Sequence, residues 1–261
     1  MPVTFPAHQG LVAALKLRWP TWIDGTALCI GAAAPDLAYA LGSWFDRHSH
    51  DAVGLVVWAL PFTIVATVVV RWRAAAGIFA HLPDLGPLRL RSYRVISTRP
   101  PRPGPLLVGA TLGAASHVLI DGFTHTERWG SRWLGLDGVL ATLPVAGGVT
   151  GAKVLQYTGH VAGSLLFVAL VAAIAAGGRL EAWYGADTVA RVRRHHPPRR
   201  ERVAFWAMVA VPPVIATPLA VALDHSEVAV PVFVPISAGT VALIAAGALV
   251  PSAVLAPDGE S

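Results

Sequence analysis

The sequence predicts an all-α protein, a polytopic integral membrane bundle of five to six transmembrane helices. Of its 261 residues, 54% are hydrophobic and only 13% are charged, whereas about a quarter of the residues of a soluble protein are charged. The mean hydropathy is +0.58. Long apolar runs alternate with two arginine-rich segments, which is the pattern of spans and loops in a membrane protein.

The N-terminal elements do not all have the length of a simple span. Residues 4–19 have the period of a short amphipathic helix, which is too short to cross a bilayer. The first apolar run, residues 24–44, contains Pro35 and Asp36. Proline breaks a helix and a carboxylate is costly at depth. We therefore expect a re-entrant or broken segment there, followed by a span over residues 52–70 with a kink at Pro61.

The remaining chain alternates between apolar and polar segments. We expect an interfacial segment and loop at 71–104, a span at 105–123, a lid or re-entrant loop at 126–150, a span at 151–177, a basic linker at 178–202, and two last spans at 203–223 and 231–255. No repeat divides the chain, so one membrane domain is predicted over residues 1–261. Its motif-bearing part is 1–177 and its two-helix C-terminal part is 203–261.

Charge predicts the orientation and the partners. The two arginine clusters, at 71–102 and 179–202, each lie between apolar runs. The positive-inside rule therefore places them in the cytoplasm and explains them better than nucleic-acid binding does. Alternation of the spans then places the end of span 105–123 at the outer face of the cytoplasmic membrane. The expected partners are the bilayer and a lipid-like substrate.

Three ionisable residues stand out at that outer end. His117, Asp121 and His125 are spaced by four residues, so a helix aligns them on one face. Imidazole and carboxylate are ordinary ligands of zinc and other divalent metals. Cys29 is the only cysteine, which excludes a thiolate cluster. The alternative is a hydrogen-bond network that holds helices together.

Asp36 and His50 are expected to join this group at the outer side of the membrane. His8 joins them only if residues 24–44 do not cross the membrane as one span. The predicted topology brings His50 to the outer side, and Asp36 lies in the interrupted first run. His8 lies on the opposite side if residues 24–44 cross as one span, but it can join the others if that run is re-entrant or broken. We expect the second arrangement.

The order and spacing of several stretches resemble a known family. The stretches are Phe5-Pro6-Ala7-His8, Gly31-Ala32-Ala33-Ala34-Pro35-Asp36, His50 to Leu55, Gly113 to His117 with Asp121, Thr124-His125, and Leu155-Gln156-Tyr157. They resemble bacterial and archaeal membrane proteins grouped as domain of unknown function 4184. More distantly, they are similar to membrane-bound metal-dependent hydrolases and to the motif set of zinc-dependent phospholipase C. Here Asp51 follows the aligned His50, where the family usually has serine.

The first resemblance implies a fold, and the second implies a metal and hydrolysis. The leading hypothesis is a membrane-embedded hydrolase that acts on a lipid-like or other hydrophobic substrate through metal-activated water. The expected cofactor is a divalent metal, preferably zinc, bound by His8, His50, His117 and His125. Asp36 and Asp121 are the expected catalytic carboxylates, and Gln156 and Tyr157 are expected to contact the substrate.

Two other classes of function fit the same residues. A cyclase, lyase or transferase could use the two aspartates as acid and base on an isoprenoid or other lipid. A transporter or scaffold would need no chemistry, although the last two spans lack the ionisable residues of a transport path. His160 is expected to be a packed residue between helices.

Overall fold

The computed structural model describes residues 6–41, 48–143, 147–194, 196–223 and 229–250. The helices in these ranges are α1 (Ala7–Arg18), α2 (Gly25–Gly31), α3 (Ala34–Leu37), α4 (Ala52–His81), α5 (Pro103–Thr124), α6 (Trp129–Trp133), α7 (Gly151–Ala176), α8 (Arg179–Tyr184), α9 (Ala186–Arg194), α10 (Arg199–Leu223) and α11 (Ala229–Leu249). Turns of 3-10 helix cover Ala38–Leu41, Gly86–Leu88 and Leu90–Thr98.

The predicted all-α membrane class is confirmed. Within the described residues, α4, α5, α7 and α10 are long and apolar enough to cross a membrane, and Val234–Leu249 is a shorter apolar helix. The end of the last predicted span, residues 251–255, lies outside the described residues.

The first apolar run is broken, as its sequence predicts. It forms α2, α3 and a 3-10 turn in place of one long helix. Asp24 begins α2 by accepting hydrogen bonds from the Thr26 and Ala27 amides. Pro35 lies in the first turn of α3, where its missing amide proton costs nothing. Residues 42–44 of the run lie outside the described ranges.

Residues 126–150 contain β-structure that the sequence did not predict. After α6, strands β1 (Val139–Leu143) and β2 (Gly147–Thr150) form an antiparallel pair, with Val139 opposite Thr150. The segment is therefore a short helix and a hairpin, and its proposed role as a lid stays a prediction.

The chain forms two compact units. We call Pro2–Ile64 with Pro103–Ala169 the motif unit, and Val65–Arg102 with Leu170–Ser261 the arginine unit.

In the motif unit, α2 packs directly on α5. A Cβ at Gly109 would lie 2.5 Å from the Asp24 carbonyl oxygen, and one at Gly113 would lie 2.4 Å from the Leu28 carbonyl oxygen. Only glycine permits this approach. The contact brings the residues that follow α2 against the second half of α5.

Candidate metal centre

Four ionisable side chains converge in the motif unit. Asp36 comes from α3, His50 from the turn before α4, and His117 and Asp121 from successive turns of α5. One donor atom from each lies within 4.8 Å of all the others. Asp36 and Asp121 are buried, and His117 has no exposed surface.

The distances within this cluster are nearly equal. The Nε2 atom of His117 lies 3.3 Å from both Asp36 Oδ1 and Asp121 Oδ2. The Nε2 atom of His50 lies 3.4 Å from Asp36 Oδ1 and 3.1 Å from Asp121 Oδ2. The two Nε2 atoms are 3.2 Å apart.

These spacings fit a divalent cation. Ligands about 2.0–2.1 Å from a tetrahedral metal are separated from one another by about 3.3–3.4 Å. Five of the six separations are 3.1–3.4 Å. Imidazole with carboxylate is also a donor set that zinc accepts. The four residues can therefore hold a metal ion.

The far nitrogen of each imidazole is already engaged. His117 Nδ1 donates a hydrogen bond to the Ala32 carbonyl oxygen, 2.8 Å away, so the lone pair of a neutral ring is on Nε2. His50 Nδ1 lies 2.7 Å from Ser49 Oγ and 3.3 Å from the Tyr39 hydroxyl. Such outer contacts orient metal-binding histidines.

His8 and His125 lie beside the other oxygen of Asp121. Asp121 Oδ1 is 3.4 Å from His8 Nε2 and 3.5 Å from His125 Nδ1. The His8 ring stacks on the His117 ring with centroids 4.2 Å apart. Burial lowers the pKa of His8 to about 4, and His117 acts in the same direction, so His8 is a neutral imidazole.

The two predicted substrate residues differ in their surroundings. Gln156 is buried, and its amide nitrogen lies 2.8 Å from His125 Nε2. The Tyr157 side chain is 55% exposed. The structure thus brings every predicted site residue except Tyr157 into one contiguous cluster, while the role of each stays a prediction.

Asp51 has a local role that its sequence position did not reveal. Its side chain accepts a hydrogen bond from the Gly54 amide at the start of α4 and lies 2.7 Å from His48 Nδ1. The Gly54 amide and His48 lower the pKa of Asp51. Asp51 and His48 therefore form a helix cap, and His50 is the histidine that faces the cluster.

Sequence reasoning missed the groups that support the cluster. Ser49 and Tyr39 contact His50, and the Ala32 backbone contacts His117. Adjacency to His50 could have suggested Ser49. A backbone carbonyl leaves no trace in the residue type, so the Ala32 contact could not have been found.

The family comparison agrees with the resemblance seen in the motifs. The model of the family described as Domain of unknown function (DUF4184) matches residues 1–256. The chain belongs to the DUF4184 family. No curated protein and no solved structure matches it significantly. Membership in DUF4184 carries no assigned activity, so the function must be argued from the cluster itself.

Proposed function

We propose that this DUF4184 protein is a membrane-embedded, metal-dependent hydrolase of a lipid-like substrate. The observation that carries the proposal is the convergence of donor atoms from Asp36, His50, His117 and Asp121 at the end of a helix long enough to span a membrane. Buried ionisable groups in such a helix are costly and usually serve a function.

A catalytic site needs a position that is not filled by protein. Four protein ligands are typical of a structural zinc site, whereas three and an open position are typical of a catalytic one. We assign His50, His117 and Asp121 as the ligands and leave Asp36 as the base. Asp36 Oδ1 lies 3.3 and 3.4 Å from the two Nε2 atoms, which are among the longer separations in the set.

The chemistry then divides between cation and carboxylate. A divalent cation, zinc by preference, supplies Lewis acidity and lowers the pKa of a water molecule. Asp36 Oδ1 would accept a proton from the attacking water as the water oxygen bonds to the carbonyl carbon or phosphorus. The bond to the leaving alcohol, amine or phosphate would then break, and Asp36 would give its proton to the leaving group.

The surroundings of the cluster support a lipid-like substrate. The segment that follows His125 carries Trp129, Trp133 and Leu140, whose side chains are 55%, 76% and 70% exposed. Aromatic side chains of this kind are enriched at membrane interfaces. With the arginine-rich segments in the cytoplasm, the positive-inside rule puts this end of α5 at the outer interface, where a lipid could enter from the bilayer.

The test separates the metal from the reaction. Purified protein in detergent is assayed for bound metal and for hydrolysis of fluorogenic phosphodiester, carboxyl-ester and amide lipids in mixed vesicles. We expect bound divalent metal in the wild type. Asp36→Asn should keep the metal and lose turnover on the cleaved lipid class.

Other results contradict the proposal in distinct ways. Loss of the metal in Asp36→Asn would make Asp36 a ligand and the site a closed, structural one. A folded wild-type protein without metal would instead favour acid–base chemistry by the two aspartates, as in the cyclase, lyase or transferase hypothesis.

A further inference from the structure

We propose that the centre holds two divalent cations and that the Asp121 carboxylate bridges them. Oδ2 of Asp121 faces the first cation, with His50 and His117, and Oδ1 faces a second, held by His8 and His125. This inference rests on the proposed metal centre and extends it to residues outside the four-donor set.

Oδ1 of Asp121, like Oδ2, lies beside two imidazole nitrogens. Oδ1 is 3.4 Å from His8 Nε2 and 3.5 Å from His125 Nδ1. Oδ2 is 3.1 Å from His50 Nε2 and 3.3 Å from His117 Nε2. Each oxygen thus has two imidazole nitrogens at about the spacing of ligands on one metal ion.

An independent observation points to a ligand at Oδ1. The Asp121 side chain is only 6% exposed, and among the described residues Oδ1 accepts no hydrogen bond. A buried carboxylate oxygen without a hydrogen bond is costly. A cation between Oδ1 and the two imidazoles removes that cost.

The imidazoles are also oriented for this task. His125 Nδ1 faces Asp121, and Nε2 lies 2.8 Å from the side-chain amide of Gln156. With that amide turned so that its oxygen accepts a hydrogen bond from Nε2, Nδ1 carries the lone pair that a cation needs. The ring of His8 is fixed by stacking on His117, and its side chain is only 5% exposed. A hydrogen-bond contact at the far nitrogen, as His125 has with Gln156, is usual for metal-binding histidines.

Packing of α1 against α7 explains why His8 lies close to Asp121. A Cβ at Gly10 would lie 2.0 Å from the Gly163 carbonyl oxygen, and one at Gly163 would lie 2.5 Å from the Ala7 carbonyl oxygen. The two backbones touch at these glycines, so the first turn of α1 is pressed against α7. His8 is held next to Asp121 by this contact.

The decisive measurement is the number of metal ions per chain. Purified protein is stripped with chelator, reloaded with zinc, desalted and analysed by mass spectrometry. We expect about two zinc ions for wild type and about one for His8→Phe, which keeps the stacked ring, and for His125→Leu. The control His48→Ala removes a histidine of the α4 cap and should keep about two.

A second measurement does not depend on the amount of folded variant. Manganese-loaded wild type should show the spectrum of a spin-coupled pair by electron paramagnetic resonance, and His125→Leu should show isolated ions. Coupling requires two ions that share a ligand or lie close together, so an ion bound elsewhere on the surface would not give it.

Each result has one meaning. One ion in wild type, unchanged in both histidine variants, overturns the bridged pair and leaves the proposed hydrolase centre intact. Two uncoupled ions that persist in His8→Phe and His125→Leu place the second ion elsewhere and also overturn it. No stoichiometric ion in wild type removes the proposed function together with this inference.

Discussion

The motif unit and the arginine unit both bury charged or titratable side chains, but they surround them differently. In the arginine unit, Arg71 Nε donates to the Ile96 carbonyl oxygen at 3.2 Å and its Nη2 donates to that of Arg99 at 2.9 Å. His81 Nδ1 donates to the Gly77 carbonyl oxygen, and its ring stacks on Phe205. These side chains are engaged by backbone carbonyls and by aromatic packing.

The motif unit turns its titratable groups toward one another. Imidazole nitrogens and carboxylate oxygens of Asp36, His50, His117 and Asp121 point at a common centre. Burial is therefore common to both units, whereas the convergence of several donor atoms on one point distinguishes the motif unit. Such a point is suited to a cation, and the proposed function rests on it.

The largest effect on metal content should come from a residue that faces the centre. His117→Ala should lose the cation of the first site and reduce hydrolysis by about three orders of magnitude, or roughly 4 kcal/mol of transition-state stabilisation. Metal analysis and turnover on the cleaved lipid check this. The matched control His81→Ala removes a buried histidine of the arginine unit and should keep the metal. If His117→Ala and His81→Ala lose the same amount of metal, the two units do not differ in metal binding and the prediction is wrong.

A smaller effect should follow from moving α1. The Cβ of Gly163→Ala would collide with the Ala7 carbonyl oxygen and displace His8. We expect zinc affinity at the second site to fall on the order of 10-fold, measured by competition with a chromogenic chelator. Gly159→Ala is the control, because a Cβ there meets nothing within 4 Å. Unchanged affinity in Gly163→Ala would mean that α1 does not position a ligand.

Loss of the outer contacts of His50 should also weaken binding. Tyr39→Phe with Ser49→Ala removes both hydroxyl groups near His50 Nδ1. Zinc affinity of the first site should fall about 10-fold, by the same competition assay. Ser116→Ala should have no effect, since the Ser116 hydroxyl donates to Gly113 within its own helix. A loss in Ser116→Ala instead would point to a role for that hydroxyl at the site.

The smallest effect on metal should come from the arginine unit. Arg71→Met leaves the Ile96 and Arg99 carbonyl groups without this donor and should lower the free energy of unfolding by about 2 kcal/mol. Metal content should remain that of wild type. Thermal unfolding in detergent with metal analysis on the same sample checks both. Metal loss without a fall in stability would contradict the division of roles.

Much of the fold could be predicted because apolar length and charge pattern are local properties. The spans over α4, α5, α7 and α10 follow from hydropathy, and the break just before Pro35 follows from the chemistry of proline. The hairpin at Val139–Leu143 and Gly147–Thr150 was missed. Its strands are short, β2 contains two glycines, and pairing between strands is not encoded in a helical period.

The candidate site, too, could be predicted from the sequence only in part. By itself, the sequence determined the residue types, and the four-residue spacing put His117, Asp121 and His125 on one helical face. It also made the approach of His8 conditional on a break in the first run.

Only the tertiary structure decided which donor faces which oxygen of Asp121. That division depends on the backbone contact of α2 with α5 at Gly109 and Gly113, and of α1 with the helix that carries Gly163. These contacts join residues far apart in the chain, and they are set by packing at the glycine positions. Periodicity fixes the face of a helix, but the neighbour that meets this face is chosen by close packing.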